Sequence, residues 1–293
     1  MRGRSPSSNP WAPPSRISRP RPWSRPGSAD GADFASPPAS AISRCQRQTA
    51  GTPDPLSLER PPANPIFCAL DRAARADALS LARRLRARVG GLKLGLEFFV
   101  ANGPEGVRTV AAEGLPLFLD LKLHDIPNTV AGAVRAIARL PVAMTTLHAS
   151  GGEAMLRAAR EARDACGSRL RLLAVTVLTS LERRDLERMG VAGSVTDQVM
   201  RLAETALAAG IDGLVCSPLE VAPLRARFGP DPLLVVPGIR SGPAGADDQK
   251  RTTTAAAALA AGADYLVVGR PITAAPDPAA AAEALLRELE EAA

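Results

Sequence analysis

The chain has 293 residues, of which 46% are hydrophobic and 23% are charged, and its formal net charge is +6. This length allows one large α/β domain or two small ones. Residues 1–65 contain nine arginines and four acidic side chains, so +5 of the net charge of +6 lies there. The rest of the chain is nearly neutral, and its charge therefore gives no reason to expect a nucleic-acid partner.

Residues 1–65 differ in composition from the rest of the chain. They hold 14 of the 27 prolines and have almost no periodic apolar pattern. Such a bias is typical of disordered chain, so we predict a disordered basic tail at 1–65 and a folded domain at 66–293. Three interpretations of the tail stay open: a non-functional extension or misassigned start, a basic interaction arm, or an organelle transit peptide, against which the many prolines argue.

The chain shows neither the apolar region of a secretion signal nor an uncharged apolar run of 18 residues. We therefore expect a cytoplasmic protein that does not associate with a membrane. The four cysteines are far apart and match no metal or redox spacing, and only two histidines are present. A zinc site is not expected, and the thiols are interpreted as inert.

From Ile66 onward, short apolar runs alternate with stretches of helical period. The predicted strands are 66–70, 91–95, 116–122, 142–148, 171–178, 213–216, 233–237 and 265–268. The predicted helices are 73–89, 130–140, 153–165, 196–209, 219–228, 251–261 and 278–291. Strand–helix alternation favours a parallel sheet with helices outside. Eight such units in about 225 residues predict a single closed (β/α)8 (TIM) barrel.

Charged residues stand where the third predicted strand should be buried. Because successive side chains of a strand alternate between faces, Asp120 and Lys122 should point the same way, and the leucines between and beside them the other way. Burying a carboxylate and an ammonium is costly unless they are paired or used. Asp125 follows past the end of the strand, before a Pro127-Asn128 turn. The segment has the layout of an active-site rim.

Lys93 stands mid-strand between two leucines and should face the barrel interior, where Asp120 and Asp71 could pair with it. The alternatives are a structural ion pair for Lys93 and an N-cap role for Asp71. With Lys122 and Asp125 these residues form an alternating acid–base array that would keep a lysine charged, able to stabilise a carbanion and protonate it. A divalent cation on Asp120 and Asp125 is the rival use, against which two inward lysines argue.

Glycine–arginine pairs end the seventh and eighth predicted strands, at Gly238-Ile239-Arg240 and Gly269-Arg270. In barrels the loops after these strands frequently bind phosphate, and Gln249 could reach over the same ligand. For each arginine alone, an ordinary surface position is the alternative. His148 ends the fourth strand, where a packing role is favoured over acid–base catalysis.

The segment Asp120-Leu121-Lys122-Leu123-His124-Asp125-Ile126-Pro127-Asn128-Thr129 resembles the orotidine 5′-phosphate decarboxylase family, as do Pro237-Gly238-Ile239-Arg240 and Val268-Gly269-Arg270-Pro271. The resemblance extends over residues 66–292. It implies a cofactor-free and metal-free conversion of orotidine 5′-phosphate to UMP by a homodimer with shared active sites.

In that family pattern, Lys93, Asp120 and Lys122 come from one subunit, while Asp125 and Thr129 reach in from the other. The resemblance implies that Lys122 protonates C6 of the pyrimidine and that Asp120 lies near the departing carboxylate. The other implied contacts are ribose binding by Lys93 and Asp71, ligand contact by Thr179, and phosphate binding by Gln249, Arg240, Gly269 and Arg270.

Two other functions stay in consideration. The Asp-x-Lys-x-x-Asp core alone is shared with hexulose-phosphate synthases, which would make the protein a magnesium-dependent aldol enzyme. A non-catalytic nucleotide-binding barrel with a basic recruiting tail is the third, against which the retained lysines and carboxylates argue.

Overall fold

A computed structural model of the chain describes Leu58 and residues 62–240 and 253–292, all within one compact unit, Thr52–Ala293. The strands are β1 (Ile66–Ala69), β2 (Gly91–Leu94), β3 (Leu117–Leu123), β4 (Met144–His148), β5 (Arg171–Val175), β6 (Gly213–Val215), β7 (Leu233–Val236) and β8 (Tyr265–Val268). They form a closed parallel barrel in sequence order, with β8 paired to β1. The predicted (β/α)8 barrel and its eight strands are confirmed.

The described residues also form ten α-helices, which follow the strands in the order typical of this barrel. They are α1 (Arg75–Leu85), α2 (Leu96–Ala111), α3 (Pro127–Ile137), α4 (Gly152–Ala165), α5 (Arg183–Arg188), α6 (Val195–Ala208), α7 (Val221–Phe228), α8 (Ala255–Ala260), α9 (Arg270–Thr273) and α10 (Pro278–Glu291). Within the described ranges, none of these is long and apolar enough to cross a membrane.

Three observed helices, α2 and the short α5 and α9, are absent from the predicted set, and α3 begins earlier than predicted. The predicted list lacks α2, whose interior contains Gly103 with a φ of 58° followed by Pro104, so the helix is kinked and its apolar period is interrupted. The third helix begins at Pro127 rather than at residue 130. Proline is well suited to the first turn of a helix because its φ is fixed near the helical value and no N–H is lost there.

An aromatic layer fills the barrel near the amino ends of the strands. The ring of Phe67 packs edge-on against Tyr265 and Phe118, with centroids 5.4 and 6.4 Å away. Gly91 makes room for it, because a Cβ at that position would lie 2.2 Å from the Phe67 ring. The charged side chains of Lys93 and Asp120 come later in the same strands or their neighbours, closer to the carboxyl ends.

Two residues assigned to the tail contact the barrel. Leu58 packs against the apolar cluster inside the barrel that contains Phe67, Phe118 and Tyr265. The Asn64 side chain donates to the carbonyl of Arg88 at 3.1 Å and accepts from the backbone N–H of Ile66 at 3.0 Å. Residues 1–57 lie outside the described residues, so both the disorder of the tail and its boundary at residue 65 stay predictions.

An arginine–aspartate clamp fastens a helix to the amino ends of two strands. Asp212 accepts from Arg163 at the end of α4 at 2.5 Å and from the backbone N–H of Leu172 in β5 at 2.8 Å. The same arrangement recurs two units later, where Asp264 accepts from Arg225 of α7 and from the N–H of Leu234 in β7 at 2.7 Å. Each clamp joins a helix, the strand that follows it and the turn before the next strand, on the face opposite the carboxyl ends.

Replacement of Asp212 by alanine should lower the free energy of unfolding by about 3–5 kcal/mol, because it removes the carboxylate partner of the largely buried Arg163 guanidinium. Asp164 is the control, since it also contacts Arg163, at 2.7 Å, but is about half exposed. Its replacement by alanine should cost less than about 1 kcal/mol. Urea denaturation measures both. Equal losses would show that the clamp contributes no more than a surface ion pair.

Candidate active site

A cavity of about 520 Å³ opens among the carboxyl ends of the strands. Both charged side chains and apolar strand residues line it. The lining residues that matter for the chemistry of the site are Asp71, Arg72, Lys93, Asp120, Lys122, Thr179, Gly238, Arg240, Gly269, Arg270 and Thr273. Eight of these were predicted as individual site residues, Gly238 was predicted as part of a phosphate-binding segment, and Arg72 and Thr273 were not predicted.

The Asp120 carboxylate stands between two lysines. Its Oδ2 atom lies 2.7 Å from Lys122 Nζ and 3.6 Å from Lys93 Nζ. Lys93 Nζ also lies 3.3 Å from Asp71 Oδ1. Lys93 and Asp120 are each only 8% exposed. The side chains therefore form a chain of alternating charge from the rim into the barrel.

Strand β3 is irregular in the part that carries Asp120 and Lys122. Its pairing with β4 joins Leu119 to Thr145 and Leu123 to Leu147, so four steps along β3 correspond to two along β4. Within this bulge Lys122 has a φ of 51°, in a region that side-chain-bearing residues rarely adopt. Such backbone strain costs roughly 1–3 kcal/mol and is concentrated at functional sites.

Thr146 of β4 is a site residue that the sequence analysis missed. It is fully buried. Its hydroxyl donates to Asp120 Oδ1 at 2.8 Å and accepts from the backbone N–H of Lys122, also at 2.8 Å. Period-two alternation in β4 puts it on the same face as His148, which was the available signal.

The electrostatics keep Asp120 ionised. Burial raises the pKa of this carboxyl, but the charges of Lys93 and Lys122 and the hydrogen bonds from Lys122 and Thr146 outweigh it and leave the pKa below its ordinary value. An ionised carboxylate only accepts hydrogen bonds, so the Thr146 hydroxyl and the Lys122 ammonium are the donors to Asp120, while Lys93 contributes its charge from 3.6 Å.

Asp71 holds Lys93 rather than capping α1. The N-cap of that helix is Ala74, and no side chain caps it. Gly95 leaves space for the pair, because a Cβ there would stand 3.2 Å from Asp71 Oδ1 and 3.3 Å from Lys93 Nζ. The N-cap alternative for Asp71 is thus wrong.

The basic end of the cavity lies at β7, β8 and the loop after β1. Gly238 has a φ of 84°, and the chain turns there after β7. Arg240, two residues on, lines the cavity. Arg270, the first residue of α9, lines it as well. Arg72, which the sequence analysis did not single out, also lines this end and donates to the carbonyl of Thr273 at 3.1 Å. Gln249 lies outside the described residues.

Asp125 and Thr129 do not line the cavity of their own chain. Both are exposed on the segment after β3, where Asp125 accepts from the adjacent N–H of Ile126 at 2.6 Å. Asp125 therefore does not join Asp120 at one cation site within the chain. In the described part of the chain, no three His, Cys, Asp or Glu side chains are grouped as a metal site.

The two histidines and the buried Cys68 lie near the polar array. The His124 and His148 rings are 5.2 Å apart. Burial, followed by the nearby His124 and Lys122, lowers the pKa of His148, so this ring is neutral at neutral pH. Burial likewise raises the pKa of the Cys68 thiol to about 12, as expected for an inert cysteine.

Comparison with known proteins agrees with this geometry. A family model for orotidine 5′-phosphate decarboxylase and HUMPS proteins matches residues 64–285. The orotidine 5′-phosphate decarboxylase of Paramagnetospirillum magneticum is 54% identical over 231 residues, covering 77% of this chain and 98% of that enzyme. That of Rhodospirillum rubrum is 54% identical over 232 residues, covering 77% and 94%.

A solved structure gives the same result. The crystal structure of orotidine 5′-phosphate decarboxylase from Lactobacillus acidophilus has a TM-score of 0.66 and 37% sequence identity, and the match covers 77% of this chain and 99% of that one. Sequence and fold agree over nearly the full length of these relatives. The chain belongs to the orotidine 5′-phosphate decarboxylase / HUMPS family.

Proposed function

We propose that the protein decarboxylates orotidine 5′-phosphate to UMP, with the Lys122 ammonium as the proton donor. The observation that carries this proposal is the pair of ammonium groups on one oxygen of the buried Asp120, at 2.7 and 3.6 Å, inside a cavity with arginines at its other end. The reacting carbon of the substrate base requires a nearby positive charge, which the ammonium groups supply. The phosphate of the same nucleotide requires cationic partners, which the arginines supply.

The reaction breaks the bond between C6 and the carboxylate, and the bonding electrons stay on C6 as carbon dioxide leaves. No cofactor is needed if a fixed positive charge stabilises that electron pair. Lys122 supplies this charge, then transfers a proton to C6 and is left as a neutral amine, which regains a proton from solvent. Asp120 keeps the ammonium in place and lies near the departing carboxylate.

The rest of the cavity supplies binding energy. Lys93 and Asp71 bind the ribose hydroxyls, Thr179 contacts the ligand, and Arg240, Gly269, Arg270 and Gln249 bind the phosphate. The largest enzymatic accelerations, about 10¹⁷-fold, correspond to about 23 kcal/mol of transition-state stabilisation, more than one lysine provides. Contacts to the remote phosphate and ribose are the natural second source.

A hexulose-phosphate synthase activity is the second candidate, because the matched family also includes HUMPS proteins. That reaction would use a divalent cation on the carboxylates. The contacts of Asp120 Oδ2 with two lysines weigh against it, since they already compensate the charge of this carboxylate. The named relatives at 54% identity are orotidine 5′-phosphate decarboxylases.

We also propose a homodimer in which Asp125 and Thr129 complete the active site of the partner. The segment that carries them also contains Ile126, whose side chain is 67% exposed. Leu96 and Val100 at the start of α2, which follows the neighbouring strand, are 52% and 82% exposed. These exposed apolar side chains follow the carboxyl ends of two neighbouring strands, β2 and β3, and exposed apolar surface is typical of an interaction site.

The function is tested by following the absorbance of orotidine 5′-phosphate with the purified full chain, with and without a strong chelator. We expect conversion to UMP at the same rate in both. Loss of activity with chelator, together with turnover of ribulose 5-phosphate and formaldehyde, would favour the aldol reaction instead. UMP binding without conversion by a folded dimer would favour the non-catalytic barrel.

Deletion of residues 1–57 is expected to leave kcat and KM for orotidine 5′-phosphate unchanged. The family match begins at residue 64, and Leu58 and Asn64, which contact the barrel, are retained. Steady-state kinetics of the two chains, with thermal unfolding as the stability control, decide the question. A clear fall in kcat/KM at unchanged stability would assign the tail a role in the reaction.

A further inference from the structure

The bulge in β3 raises the question of what holds Lys122 in place. Its φ of 51° is unfavourable, and the register shift takes this part of β3 out of regular pairing with β4. A lysine with four rotatable side-chain bonds has no fixed position of its own. Something in the surrounding structure must therefore stabilise both its backbone and its ammonium.

Thr146 contacts both ends of this arrangement with a single hydroxyl. It accepts from the Lys122 backbone N–H and donates to Asp120 Oδ1, each at 2.8 Å. Asp120 then offers its other oxygen, Oδ2, to Lys122 Nζ at 2.7 Å. The backbone of Lys122, the Thr146 hydroxyl, the Asp120 carboxylate and the Lys122 ammonium thus form a closed ring of hydrogen bonds.

We propose that Thr146 is a positioning residue of the active site, whose hydroxyl fixes the Asp120 carboxylate and the Lys122 backbone so that the ammonium meets the reacting carbon. This inference rests on the proposed decarboxylation. Thr146 acts through its two partners, since the side chain is fully buried and does not line the cavity. A valine has the same shape but cannot make either hydrogen bond.

The neighbouring Thr145 offers a matched control. It is also fully buried in β4 and also bonds to β3, donating to the carbonyl of Leu119 at 2.8 Å. It lies on the opposite face of the strand, together with Leu147. That residue belongs to the apolar core between the strands and the helices. Thr145→Val and Thr146→Val therefore remove the same atom one residue apart, and only the second touches the Asp120–Lys122 pair.

We expect Thr146→Val to lower kcat about 10²-fold, the typical effect of a small misplacement of a catalytic group. The Kd for UMP should change little, because the groups proposed to bind ribose and phosphate are untouched. Thr146→Ser, which keeps the hydroxyl, should recover most of kcat. Thr145→Val should keep the wild-type kcat and lose only stability. A purely structural role for Thr146 would instead make the two valine variants alike.

A second readout is the titration of Asp120, which is independent of turnover. The hydrogen bond from Thr146 favours the ionised form, so its removal should raise the pKa of Asp120 and move the acid limb of kcat/KM to higher pH. The titratable groups around this carboxyl are Lys93 and Lys122, with Asp71 and His148 beyond them. Carbon-13 NMR of the Asp120 carboxyl measures the shift directly.

The outcomes separate this proposal from the proposed function. Wild-type conversion of orotidine 5′-phosphate, with unchanged kcat and Asp120 titration in Thr146→Val, would overturn only the role of Thr146. A wild-type chain that does not convert the substrate would overturn the function, while the NMR titration would still decide whether Thr146 holds Asp120. If Thr146→Val does not fold, the smaller Thr146→Ala takes its place in both measurements.

Discussion

Replacement of Lys122 by alanine is expected to lower kcat for orotidine 5′-phosphate decarboxylation by at least about 10⁴-fold, since it removes both the stabilising charge and the proton donor. The fold should survive, because Asp120 keeps Lys93 at 3.6 Å and Thr146 at 2.8 Å as partners. The Kd for UMP, measured by calorimetry, should change far less than kcat, as the phosphate and ribose contacts remain.

Lys122→Arg is the matched control for this prediction. Arginine keeps a positive charge beside Asp120, so the stability of the protein should stay near that of the wild type. Its guanidinium does not give up a proton at neutral pH, so it cannot replace the lysine as a donor. We expect little decarboxylation by either variant. Turnover by Lys122→Arg near the wild-type level would show that charge alone suffices and that the proton reaches C6 from another source.

The barrel was predictable because its strands are continuous apolar runs. Parallel strands buried on both faces read as runs of valine, leucine and isoleucine, and Leu233–Val236 and Tyr265–Val268 are such runs. Their spacing with the helices gave the count of eight. Helix α2 was missed because Gly103 and Pro104 interrupt the helical period of its apolar residues. The observed helix continues across the resulting kink.

The charged array was also predictable, for a specific reason. Lysines and aspartates in apolar strands are costly, so Lys93, Asp120 and Lys122 were conspicuous in the sequence. Thr146 was not, because a threonine in a strand is ordinary and the sequence does not fix the register of β4 against β3. Its role depends on the bulge in β3, and a bulge is a feature of pairing rather than of either strand alone.

Strand alternation predicted correctly that Lys122 faces the cavity, but it assumed a regular strand. A regular strand would put Asp120 and Lys122 on one face, and both do line the cavity. The observed backbone is irregular between Leu119 and Leu123, however, and Lys122 has a positive φ. Arg72 and Thr273 were missed for a related reason, since their position at the cavity depends on how the loop after β1 meets the short helix after β8.

A mixture of two inactive variants is expected to recover activity if the active sites are shared. Lys122→Ala and Asp125→Asn should each be strongly impaired as homodimers. In a mixed dimer, one site combines the intact Lys122 of one chain with the intact Asp125 of the other. Random reassociation gives half mixed dimers with one intact site each, so we expect about a quarter of the wild-type activity.

The control mixture pairs Lys122→Ala with Asp120→Asn. Asp120 and Lys122 are in contact within one chain, at 2.7 Å, so no mixed dimer contains an intact site and no activity should return. Chain exchange is verified in both mixtures by capture through a tag on one partner. Absence of recovery in the first mixture, with mixed dimers present, would place Asp125 outside the partner's site. Its exposure on the rim, away from the cavity of its own chain, would then reflect only an ordinary solvent-facing loop.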